Sequence, residues 1–129
     1  MHIEHIALYT RQLEVLREFY EKYFDATSNE KYTNPTKRFE SYFLSFDGGA
    51  QLEIMQKQSV PEHSGEPGAE LTGLTHLAVA VGTHDAVNRL TERLRTDGYP
   101  VVGEPRTTGD GYYESVVLDP DGNRIEITA

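Results

Sequence analysis

The sequence predicts an α+β fold built from two βαβββ modules, and three observations carry that prediction. The chain repeats itself. "IEHIALYT" at residues 3–10 resembles "LTHLAVAV" at 74–81, and "ESYFLSFDGGAQLEIM" at 40–55 resembles "ESVVLDPDGNRIEIT" at 114–128, the earlier copy with one extra residue in its turn. An amphipathic helical pattern follows the first strand of each copy. The copies are separated by "QSVPEHSGEPGAE", residues 58–70, which has no periodicity and is broken by prolines and glycines. One domain over 1–129 is therefore expected, with modules 1–57 and 71–129 joined by a linker at 58–70.

Taken in chain order, each element has its own reason. Successive strand residues point to opposite faces, so in the first strand Ile6 and Leu8 share one side while His5, Ala7 and Tyr9 share the other. "RQLEVLREFYEKYF" then places Leu13, Leu16, Tyr20 and Phe24 on one helical stripe, with Thr10 as the expected N-cap. In the strand closing the first copy, Leu52 and Ile54 oppose Gln51, Glu53 and Met55. The second copy follows the same plan. Leu77, Val79 and Val81 oppose His76, Ala78 and Ala80. Ala86, Val87, Leu90 and Leu94 form the helical stripe of "HDAVNRLTERLRTDG", and Gly98 stands just past its end. In the last strand Ile125 and Ile127 oppose Glu126.

Composition narrows the chemistry. There is no cysteine among the 129 residues, so disulfides and thiolate catalysis are excluded, and a metal would have to use histidine, carboxylate or water. The net charge of −9 repels phosphate backbones and anionic lipid, which argues against nucleic-acid and membrane partners. No apolar run approaches the ~20 residues of a membrane span. The N-terminus enters strand pattern at once, without the shape of a signal peptide. A cytoplasmic protein is the expectation.

The polar faces hold the candidate site. A lone histidine or glutamate on a strand is ordinarily just solvated. Here His5 and His76 follow their strand starts in the same way, and Glu53 and Glu126 lie 48 and 50 residues further on. Small alanines beside the histidines leave space in front of each strand. Two imidazoles and two carboxylates make a mixed nitrogen and oxygen donor set suited to Ni, Zn, Co, Mn or Fe as the divalent ion. Both residue types are in binding form near neutral pH. His2, His63 and His84 have no counterparts in the other copy and read as surface residues.

The stretches "HIALYT…FYEKYF", "GLTHLAVAV" and "LDPDGNRIEI" resemble the vicinal oxygen chelate superfamily over nearly the whole chain, and the His, Glu, His, Glu pattern is similar to glyoxalase I. The resemblance implies a cupped, eight-stranded mixed sheet with helices on its outer face. It implies His5, Glu53, His76 and Glu126 as metal ligands, with Glu126 as main base and Glu53 able to serve from the opposite face. The implied reaction isomerises a 2-oxoaldehyde–thiol hemithioacetal, or a related vicinal-oxygen substrate, by proton transfer through an enediolate. Where glyoxalase I holds glutathione with an arginine and an asparagine, this chain has Tyr9 and Lys57. The helix-ending "LG" of the family is Phe24-Asp25.

Lys37, Arg38, Tyr112 and Tyr113 flank the third strands of their modules and are candidate substrate contacts. The partner expected is a small molecule, and open sheet edges favour a homodimer. Two other readings share the fold. One is a non-catalytic small-molecule-binding module of the bleomycin-resistance kind. The other is a different metalloenzyme of the superfamily, an epimerase or an iron-dependent dioxygenase.

Overall fold

The computed structural model covers residues 1–129, and its elements run β1 (His5–Tyr9), α1 (Leu13–Phe24), β2 (Thr27–Ser28), β3 (Tyr32–Asn34), β4 (Phe39–Ser45), β5 (Gln51–Lys57), β6 (His76–Ala80), α2 (His84–Thr96), β7 (Val101–Thr107), β8 (Tyr113–Leu118) and β9 (Arg124–Thr128). The chain divides into two compact units, Met1–Ser64 and Gly65–Ala129. Each has its own sheet. The first has the order β1-β5-β4-β2 with β3 also on β4, and the second has the order β6-β9-β8-β7. In both, the first strand runs parallel to the last, β1 along β5 and β6 along β9, and the remaining pairs are antiparallel.

The predicted βαβββ order is present in both units, with nine strand segments where eight were expected. The ninth arises because the second strand of the first unit is broken. β2 pairs Thr27 with Ser45, whereas β3 pairs Tyr32 with Ser41, so the register slips by one residue between them. Asn29 spans the break: its backbone N–H donates to the Phe43 carbonyl at 3.0 Å and its Oδ1 accepts from the Phe43 N–H at 2.8 Å. The equivalent strand in the second unit, β7, stays continuous but takes up the same irregularity as two register shifts.

The repeat needs one correction. Both β-turns between the last two strands have five residues, 46–50 and 119–123. No extra residue sits in the first turn. The offset lies instead where the two Glu-Ser pairs begin, because Glu53 pairs with Phe43 and Glu126 with Val116. Ser41, rather than Glu40, is therefore the register counterpart of Glu114.

Each helix covers the aliphatic face of its own sheet. In the first unit Leu13, Leu16, Phe19, Tyr20, Tyr23 and Phe24 are buried with Leu44, Leu52 and Ile54. In the second, Val87 and Leu94 are buried with Val117, Ile125 and Ile127, and the buried hydroxyls of Thr91 and Ser115 satisfy one another at 2.7 Å. At ~25 cal/mol per Å² of apolar surface, fully burying one such side chain stabilises by ~1.5–3 kcal/mol.

The helix ends differ as well. Thr10 does not cap α1. Gln12 occupies the cap position and its own side chain makes no capping bond. The Thr10 hydroxyl accepts the Gln12 N–H at 3.0 Å, and Gln56 of β5 accepts the Leu13 N–H at 3.2 Å, so the cap comes from the sheet. α2 is capped locally by Thr83, whose hydroxyl accepts from the Ala86 N–H at 3.1 Å. Past α1 the left-handed residue is Asp25, with φ 52°, and past α2 it is Gly98, with φ 92°. A residue with a Cβ is strained there and glycine is not.

On the outer surface of the first unit, Glu14 accepts from the Lys31 ammonium at 2.8 Å, from the Tyr42 hydroxyl at 3.1 Å and from Arg17 at 3.0 Å. The Lys31 hydrogen bond, with help from Tyr42 and Arg17, holds the Glu14 carboxyl below its ordinary range. No helix is long and apolar enough to cross a membrane.

Candidate functional site

The registers settle which side chains share the polar face of each sheet. Ala7 and Phe43 lie directly beside Glu53 in the first unit, and Ala78 and Val116 lie directly beside Glu126 in the second. Residues paired across a ladder point the same way. The methyl groups of Ala7 and Ala78 are too short to cover the glutamates, which keeps both carboxylates accessible from the polar face.

Within the first unit, His5 Nε2 lies 3.7 Å from Glu53 Oε2. Within the second, His76 Nε2 lies 3.4 Å from Glu126 Oε2. Exposure also matches: the histidine side chains are 39% and 43% exposed and the glutamates 16% and 19%, so each pair is a half-sheltered carboxylate under a solvent-reachable imidazole. The His5 ring stands edge-on to Phe43 at 5.3 Å, which fixes its plane, and its Nδ1 is hydrogen-bonded to Glu4. That bond to Glu4, with the nearby Glu53 charge, raises the His5 pKa above its ordinary value. A carboxylate on Nδ1 also directs the Nε2 lone pair of the neutral ring outward, which is the arrangement metal-binding histidines use.

Neither unit by itself assembles three His, Cys, Asp or Glu side chains disposed to hold a metal ion. Each supplies one imidazole nitrogen and one carboxylate oxygen, converging but not in a normal hydrogen bond at these distances. That is the donor chemistry a borderline divalent cation takes, and each unit carries one such pair.

Glu114 went unremarked in the sequence because its neighbour in the repeat, Glu40, drew the comparison to the wrong register. Glu40 lies on the helix side near Lys31, at 3.5 Å. Glu114 lies on the polar face, two residues before the ladder partner of Glu126, and is 9% exposed. Burial first, and then the bond and charge of Glu126, push its carboxyl above the ordinary range, against the pull of Arg106 at 3.6 Å. On the same face the Thr128 hydroxyl, opposite Glu114 in the ladder, is buried without a hydrogen-bond partner. The signal for Glu114 was present in the parity of β9, once Val116 is known to be the partner of Glu126.

The hairpin that carries Glu126 is tied at its base. The buried Asp119 carboxylate accepts from the backbone N–H groups of Asp121 and Asn123 and from the Asn123 amide, all at 2.9 Å. Gly122, with φ 82°, completes the turn, and a Cβ there would meet Pro67 at 2.8 Å.

The candidate substrate contacts divide. Arg38 lines a cleft of the first unit and Lys37 lies in the adjoining turn, its N–H donating to Asn34 Oδ1 at 3.1 Å. Tyr112 is exposed in the turn before β8. Tyr113 points to the helix side: its hydroxyl donates to Asn88 at 2.8 Å and its ring stacks on His84 at 4.0 Å. One residue of strand parity separates it from Glu114.

Comparison with known proteins adds to this geometry. The model of the Glyoxalase/Bleomycin resistance protein/Dioxygenase superfamily matches residues 2–127. Among curated proteins, an uncharacterized protein of Bacillus subtilis (strain 168), YqjT, is 28% identical over 130 residues and covers 98% of both chains. Among solved structures, a glyoxalase family protein from Enterococcus faecalis superposes with a TM-score of 0.77 at 24% identity, over 99% of this chain and 97% of that one. A possible glyoxalase from Bacillus cereus gives 0.72 at 25%, over 100% and 99%. Glyoxalase I from Zea mays gives 0.79 at 22%, over 98% of this chain, which spans only 44% of the maize chain.

Proposed function

The chain belongs to the glyoxalase/bleomycin resistance protein/dioxygenase superfamily, and from that premise we propose that it is a divalent-metal-dependent enzyme of the glyoxalase I type, acting on a 2-oxoaldehyde–thiol hemithioacetal or a related substrate with vicinal oxygens. The observation that carries this reading is the repeated pair, His5 with Glu53 and His76 with Glu126, in matching register and at 3.7 and 3.4 Å. A purely binding cleft gains nothing from two half-sheltered carboxylates, which are costly to desolvate without a cation.

His5, Glu53, His76 and Glu126 are the ligands in this proposal, two from each unit, supplied by one chain or by the two chains of a homodimer. Bound there, the ion would act as a Lewis acid on two neighbouring substrate oxygens and acidify the adjacent C–H. Glu126 removes that proton and returns it to the neighbouring carbon. Its side chain emerges between Ala78 and Val116. Glu53, on the same kind of face in its own sheet, is the second candidate base.

Metal stoichiometry tests this. Chelator-stripped protein is titrated with Ni²⁺, Zn²⁺, Mn²⁺ and Fe²⁺, beside Glu126→Gln and Glu53→Gln. About one ion per chain, bound at least ~10-fold more weakly by each variant, is expected for loss of one ligand. Absence of specific binding in the unsubstituted protein would overturn the metalloenzyme reading in favour of a non-catalytic binding module.

A further inference from the structure

Residues 66–70 close the stretch expected as a linker, and in the structure they lie on the hairpin that carries Glu126. The Ala69 N–H donates to the Glu66 carbonyl at 3.1 Å, so the segment turns on itself. The Gly68 N–H donates to the Gly122 carbonyl at 2.9 Å, and Arg124 Nη1 donates to the Gly68 carbonyl at 3.0 Å. Arg124 Nη2 lies 3.8 Å from Glu70 Oε1. The approach is close from both sides. A Cβ on Gly68, whose φ is 74°, would stand 3.0 Å from Leu118, the β8 partner of Arg124, and one on Gly122 would meet Pro67. A connector that only spans a gap needs no such fit.

Arg124 shows what this strap does. It lies two residues before Glu126 on the same face of β9, and it is the ladder partner of His76. At ~3.3 Å per residue its Cα stands about 7 Å from that of Glu126, within reach of so long a side chain. A bidentate arginine–carboxylate pair would take both oxygens of Glu126 and put a positive charge where a divalent cation has to bind. Instead the guanidinium is turned to the strap, its side chain 19% exposed, and Glu126 is left facing His76 at 3.4 Å. The first unit holds no such conflict. Gln51 takes the matching place beside His5, two residues before Glu53, and its neutral amide donates to Ser45 at 2.7 Å.

We propose that residues 66–70 are a positioning strap that keeps Arg124 off Glu126 and so keeps the second donor pair open to a cation. When the strap is displaced, the guanidinium swings to Glu126 and closes the pair. Only the consequence for metal rests on the function proposed above. The contact itself belongs to the metal-free chain.

Two variants loosen the strap by different means. Gly68→Val puts a β-branched residue at a left-handed backbone position, and Glu70→Gln removes the ion pair while leaving the backbone alone. Each is made alone and together with Arg124→Gln, and denaturant unfolding checks that it folds. In metal-free protein near neutral pH, the side-chain carboxyl ¹³C resonance of Glu126 should move in Gly68→Val and, by less, in Glu70→Gln. With Arg124→Gln added, both should return to the position of Arg124→Gln alone. On titration with Zn²⁺, Gly68→Val should bind at least ~5-fold more weakly than the unsubstituted protein, and Arg124→Gln should restore the affinity to within ~2-fold, the mark of coupled residues. Arg124→Gln by itself should bind the ion at least as tightly as the unsubstituted protein. A carboxyl shift or a loss of affinity that persists without the guanidinium would overturn the proposal, as would an unmoved resonance in both strap variants. If Gly68→Val does not fold, Glu70→Gln decides by the same readings. Absence of zinc binding in the unsubstituted protein would remove the enzyme reading, and the carboxyl resonance would still decide where Arg124 goes.

Discussion

Glu53 and Glu126 sit at equivalent points of two sheets, each with an alanine on one side, a hydrophobic residue on the other and a histidine within 4 Å. Around them the two units diverge. Two positions before Phe43 the first unit has Ser41, while two positions before Val116 the second has Glu114, whose carboxyl is pushed up by burial and by Glu126 and faces Arg106. The first unit gathers Arg11, Arg38 and Lys57 around one cleft, and the second braces its last turn with Asp119. The two units share the His–Glu pair and differ in the charged residues around it.

The largest expected effect separates the two glutamates. Glu126→Gln should lower turnover of a hemithioacetal substrate by ~10²–10⁴-fold, the usual worth of a general base, and Glu53→Gln by clearly less. Equal losses in steady-state assays would erase the functional difference between the units. Next come the cores. Ile54→Ala and Ile127→Ala each empty a fully buried site and should each cost ~2–5 kcal/mol in denaturant unfolding. A cost below ~1 kcal/mol at either would show that helix and sheet do not pack there as described.

Smaller effects arise from two carboxylates shifted in opposite directions. Glu14 is held low, so its contribution is present above about pH 4.5 and is lost as pH falls through its depressed pKa. Glu114 is held high, so in metal-free protein its contribution is present below about pH 4.5 and is lost as pH rises through its elevated pKa. Melting curves between pH 3 and 7 should therefore lose acid sensitivity in Glu14→Gln, and Glu114→Gln should gain stability toward neutral pH. If the two variants shift the profile the same way, the contrast drawn between their surroundings is wrong. The smallest effect concerns the helix ends. Asp25→Gly should raise stability by ~0.5–1 kcal/mol and Gly98→Asp should lower it by a similar amount, readable as Tm shifts of a few degrees. A stabilising Gly98→Asp would contradict the left-handed geometry.

Much of this was legible in the chain. Period-two alternation placed His5, Glu53, His76 and Glu126 on polar faces because a strand allows no other arrangement. Apolar spacing gave both helices, and Gly98 marked the end of the second. Thr10 misled because a threonine before a helix looks like a cap, while the real partner, Gln56, comes from a strand more than forty residues away. Tyr113 and Glu114 show the same limit at one residue's distance. Which of them faces the polar side depends on the pairing of β8 with β9, and the repeated Glu-Ser suggested a pairing one residue out.

By itself the sequence determined the duplicated βαβββ order, the two helical faces and the residue types of the candidate donor pairs, since local periodicity and composition suffice for these. Only the tertiary structure decided that Glu114 lies against Glu126, that β5 caps α1, that the second strand of the first unit breaks at Asn29, and that Arg11, Arg38 and Lys57 meet in one cleft. Each of these depends on register or on approach between distant segments, and those are set by hydrogen-bond pairing and packing across the fold.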